Sequence, residues 1–136
     1  VLQNGRIFTL MAWCAVMAGA SVVLGAFGAH MLSGIMSPQK MDVYNKASYY
    51  LMTHSIAVIL LLQVKNTGFS RIYAWGIYAL FSGAIVFSIS LYLVAFSEVS
   101  GISALRFFGA VAPIGGTLMI AGWGLCALTF FKNKTI

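Results

Sequence analysis

Two histidines, two serines and a tyrosine stand inside stretches that are otherwise apolar. His30 and His54 are the only imidazoles in the chain, and Ser88, Ser90 and Tyr92 follow on one later stretch at helical spacing. Buried imidazoles at one depth can ligate a haem b iron or relay a proton between hydroxyls. Together His30, His54, Ser88, Ser90 and Tyr92 form a candidate polar intramembrane cluster. The plainer reading is two neutral imidazoles bonded to Ser, Tyr or backbone, with the hydroxyls fixing helix register. No carboxylate lies in the same stretches to orient a metal-bound imidazole.

Other chemistry is poorly supplied. Asp42 and Glu98 are the only acidic residues, both in connections between apolar runs. The chain has no P-loop, no His-Glu-x-x-His and no Ser-His-acid set, so neither an enzyme nor a resident cofactor is expected. Cys14 and Cys126 are isolated in apolar runs and read as small buried hydrophobes, with no metal site. Arg106 and Glu98 flank the third connection and read as a surface ion pair.

The surrounding composition explains this scarcity. Of 136 residues, 61% are hydrophobic and 7% charged. Soluble domains carry roughly 25% charged residues, so this chain cannot clothe a water-exposed surface. A bilayer crossing takes about 20 apolar residues, and the sequence accommodates four such crossings with little left over. The formal charge of +6 is spread through the gaps between apolar runs. That is the pattern of topology-setting charge, and no nucleic-acid-binding face is present.

The expected architecture is an all-α integral membrane protein, a four-transmembrane-helix antiparallel up-down bundle in one domain over residues 1–136. The spans fall at about 7–32, 44–64, 72–96 and 104–131. The first is too long for a signal-peptide core and continues through residues 25–30 without an Ala-x-Ala cleavage pattern, so it is read as a true span. Its Ser21, Gly25 and Ala29 recur every four residues as a small-residue face, and Ser33-Gly34 should end the helix. Ser37-Pro38 reads as an N-cap with proline at the first helical position. Tyr73 and Trp75 are placed in an aromatic belt at the start of the third span. In the fourth, Gly115, Gly116 and Gly122 allow close backbone approach, and Pro113 is expected to kink the helix. Arg6, Lys65, Arg71, Lys132 and Lys134 fall on one side, and Lys40, Lys46 and Arg106 on the other. The excess favours both termini in the cytoplasm.

Several strings carry a wider resemblance. They are Leu24-Gly25-Ala26-Phe27-Gly28-Ala29-His30, then Tyr50 with His54, then Phe87-Ser88-Ile89-Ser90-Leu91-Tyr92, and finally Pro113-Ile114-Gly115-Gly116 with Gly122-Trp123. In order and spacing the chain resembles the small four-span membrane proteins typified by bacterial YgdD, which have a eukaryotic transmembrane relative. Ile89 and Ala112 depart from the pattern, standing where that family often has glycine and threonine. The resemblance implies a bacterial inner-membrane location, or an organellar one in a eukaryote, and brings no assigned reaction. Gly25, Gly28, Pro113, Gly115, Gly116 and Gly122 are accordingly read as helix-packing residues. The leading expectation is an accessory or assembly subunit in contact with lipid and with a membrane-protein partner or further copies of itself. A small-solute or proton pathway and a haem- or quinone-binding redox helper are the alternatives.

Overall fold

The computed structural model describes residues 4–64 and 70–133. Four long helices run through them: α1 (Asn4–Phe27), α2 (Pro38–Leu62), α3 (Arg71–Ser100) and α4 (Ala112–Asn133). No strand occurs among the described residues. Gly5–Leu32, Arg71–Ser100 and Ser103–Lys132 are long and apolar enough to cross a membrane. α2 falls short of that measure because Lys40, Asp42, Asn45 and Lys46 occupy its first half.

Capping sets the boundaries. Ser37 is the N-cap of α2, its hydroxyl accepting from the Lys40 N–H, and Pro38 takes the first turn, where a missing donor costs nothing. Ser70 caps α3 in the same way through the Tyr73 N–H at 3.2 Å. α3 ends at Gly101, whose φ of 70° is left-handed. Glu98 therefore belongs to the last turn of a helix and not to a loop. It accepts from the Ser37 N–H at 3.2 Å and the Ser37 hydroxyl at 2.8 Å, and makes no ion pair with exposed Arg106. The Ser37 group is nearer and has two donors to offer.

Two helices change pitch. α1 widens into a π-helical turn over Gly28–Leu32, closed by the Ser33 N–H on the Gly28 carbonyl at 3.0 Å. The last apolar stretch is a 3₁₀ helix over Ser103–Ala110 that becomes α4 at Ala112. Pro113 consequently sits at the junction of the 3₁₀ and α segments, in the first turn of α4, where proline is tolerated.

Close packing runs in chain order, α1 on α2, α2 on α3 and α3 on α4. The tightest seam joins α3 to α4. A Cβ on Gly83 would lie 2.9 Å from the Gly115 carbonyl oxygen, and one on Gly122 would lie 2.8 Å from the Gly76 carbonyl oxygen. Gly115 in turn meets the Phe87 backbone. The two pairs are seven residues apart on each helix (83 − 76 and 122 − 115), two turns in both directions. The main core gathers Cys14, Val58, Tyr73, Ile77, Leu80, Ala84, Met119 and Cys126 from all four helices. Tyr73 is fully buried there and donates to the Leu61 carbonyl at 2.9 Å, so it is not a belt residue. The expected small face of α1 is only partly used inside the bundle. Ser21 is buried, Ala29 is exposed, and nothing lies within 4 Å of a Cβ built on Gly25. The packed glycine of α1 is Gly28, against Tyr44 and Met41.

Candidate functional site: the His54–Trp123 cleft

His54 projects from the middle of α2 toward α4. Its Nδ1 lies 3.0 Å from the Tyr50 carbonyl oxygen, one turn back. Its Nε2 accepts from the Trp123 indole N–H at 3.4 Å. An indole can only donate, so the network assigns the proton of a neutral ring to Nδ1, which donates to Tyr50. The Tyr50 ring stacks on the imidazole at 5.7 Å and meets Phe87 edge-on at 4.9 Å. Around these groups is a cavity of about 320 Å³, lined by Tyr50, His54, Phe87, Gly116, Met119, Ile120 and Trp123. Gly116 has only ordinary contact with the Phe87 ring, so its missing side chain opens this space and does not tighten a helix seam.

The five residues of the expected polar cluster do not meet. His30 lies exposed in the π turn at the end of α1. The packing of Gly28 against Tyr44 puts that turn level with the first turns of α2. His54 is 16 residues beyond Pro38 (54 − 38), about 24 Å along the helix. The two imidazoles thus sit at different depths, and both nitrogens of His54 are already engaged. Among the described residues, no three of His, Cys, Asp and Glu gather as a metal site would require.

The hydroxyls divide likewise. Tyr92 shares a 2.8 Å hydrogen bond with Ser48 of α2, and its ring meets Tyr44 edge-on at 4.9 Å. Ser90 donates to the Val86 carbonyl of its own helix at 2.6 Å. Ser88 is fully buried and its hydroxyl has no partner among the described residues. It borders an apolar cavity of about 300 Å³ between α1 and α3, whose walls include Trp13, Met17, Phe81 and Ile85.

Tyr44 organises the other end of the bundle. It is fully buried, donates to the Leu24 carbonyl at 2.8 Å, and packs with Leu32, Met36 and Ala95. Sequence reasoning passed over it because Asp42, Asn45 and Lys46 surround it. Its spacing of four from both Lys40 and Ser48 was the available signal, since all three face α3.

Tyr50, His54, Phe87, Gly116 and Trp123 of the cleft are among the residues that carried the resemblance. Residues 24–116 match the family described as "Protein of unknown function (DUF423)". The chain belongs to this family. It is similar to the UPF0382 membrane protein SH2409 of Staphylococcus haemolyticus, with 38% identity over 93% of this chain and 97% of the relative. The UPF0382 inner membrane protein YgdD of Escherichia coli is 33% identical over 92% of this chain and 91% of its own length. No solved structure matches. With its apolar helices, this DUF423 member is a multi-pass protein of the bacterial inner membrane. Tyr50, His54, Phe87 and Gly116 fall within the matched region, and Trp123 lies beyond it.

Proposed function

We propose that the chain is a four-span, up-down protein with both termini in the cytoplasm, acting as a non-catalytic accessory or assembly subunit of a larger membrane complex. The observation that carries this reading is the open side of α1. That helix packs on α2 and leaves Ala15, Gly19, Val22, Val23 and Ala26 exposed, with nothing within 4 Å of a Cβ built on Gly19. In lipid, small residues on an open face let a second helix approach closely, and backbone packing drives association there. The interior supports the same reading. Among the described residues, His54, Ser90 and Tyr92 spend their polar groups on hydrogen bonds within the chain, which suits a packing role.

Gentle extraction followed by native size analysis and mass spectrometry tests the subunit role. Co-migration with one large complex, abolished by Gly19→Leu, is expected. Lone or self-associated chains in every mild detergent would sink it. Thiol labelling of Lys40→Cys and Gln63→Cys tests the second crossing, and reaction of both from one side of the membrane would remove α2 as a span.

A further inference from the structure

Arg6 and Arg71 line one cavity of about 470 Å³ together with Ala74, Trp75 and Tyr78. The two guanidinium groups come from different helices, near the first residues of α1 and α3. Each sits at the positive end of a helix dipole, where a cation is disfavoured unless an anion joins it. The protein supplies no side-chain carboxylate for that purpose. It has two acidic residues in all. Asp42 is held by Lys46 at 2.7 Å, and Glu98 by Ser37. Glu98 lies 27 residues along α3 from Arg71 (98 − 71), about 40 Å away. Asp42 is near the start of α2, at that same far end of the bundle.

We infer that the Arg6–Arg71 cavity is a binding site for a phosphate anion, presented by a phospholipid headgroup or by a small soluble phosphate ester. Guanidinium groups match phosphate oxygens in a planar fork, and two of them from separate helices can grip one phosphate from two directions. Trp75 is 69% exposed beside Arg71, and Tyr78 follows one turn later. Such rings sit at headgroup level, where a lipid phosphate is found. The volume exceeds that of a bare ion and leaves room for the group esterified to it. Orientation alone would be served by cations scattered anywhere on this side. It does not call for two arginines on one cavity.

The test uses the full chain in nanodiscs of equal phosphatidylglycerol and phosphatidylcholine, released into a native mass spectrometer. The wild type is expected to retain phosphatidylglycerol preferentially. Arg6→Gln with Arg71→Gln should reduce that preference roughly tenfold or more, while Lys132→Gln leaves it unchanged. Arg6→Lys with Arg71→Lys keeps the charge that guides insertion and should still lose several-fold of the preference, because the planar fork is gone. Displacement of the lipid by glycerol phosphate would identify a site open to soluble esters. Resistance to it would identify a lipid headgroup site. An unchanged preference in the lysine pair, or an equal loss in Lys132→Gln, would overturn the proposal.

Discussion

The ring of Tyr44 fills the space in which a side chain on Gly28 would stand, with Cε1 only 2.5 Å from the position of a Cβ there. This contact fastens α1 to α2 at the place where α1 widens by one residue per turn. Gly28→Ala should destabilise the protein by about 1–3 kcal/mol, the usual cost of forcing bulk into a filled site. Tyr44→Phe should cost about 1 kcal/mol by freeing the Leu24 carbonyl. Thermal unfolding in detergent reads both. A Gly28→Ala protein as stable as wild type would show that the ring can move aside.

The α3–α4 seam predicts a contrast within one helix. Gly122→Val should lower the unfolding temperature sharply, since its side chain would strike the Gly76 carbonyl and Leu80. Gly124→Val should be close to neutral, because nothing lies within 4 Å of that position. Equal effects from the two would contradict the seam.

Ser88 offers a substitution in the stabilising direction. Its buried hydroxyl is unpaired among the described residues, and leaving such a group unsatisfied costs about 1 kcal/mol or more. Ser88→Ala should therefore be neutral or more stable. A loss comparable to that of Tyr92→Phe, which breaks the bond to Ser48, would mean that the hydroxyl has a partner.

His54 and Trp123 should behave as a unit. At 3.4 Å their hydrogen bond is long, and intramembrane side-chain bonds average about 0.6 kcal/mol. Trp123→Phe and His54→Ala should each cost something, and the double variant less than their sum. Strict additivity in a double-mutant cycle would separate them.

How far these features were legible in the chain depends on what sets them. Ser37-Pro38 announced the start of α2 because capping is a local matter of a few adjacent residues. Gly115 and Gly122 announced a close approach, but not its partner. Gly76 and Gly83 are spaced as helical neighbours only if α3 presents that face to α4, and helix rotation is a tertiary choice. The same choice joined His54 to Trp123, parted it from His30 and left Gly25 facing outward. Glu98 reads as a connecting residue because it interrupts an apolar run, whereas the helix stops only at Gly101. Tyr73 looked interfacial by type. It is buried in the core, where its hydroxyl donates to the Leu61 carbonyl near the end of α2.

The in-order packing of the helices bears on how the protein is made. Each helix packs on its neighbours in the chain, so no early segment waits on a distant later one. α1 and α2 can close on Gly28 and Tyr44 while α4 is still on the ribosome, and α4 completes the assembly by locking its glycines onto a waiting α3. Insertion and folding then follow one timetable, and the last glycine seam is where a slip in that order would show.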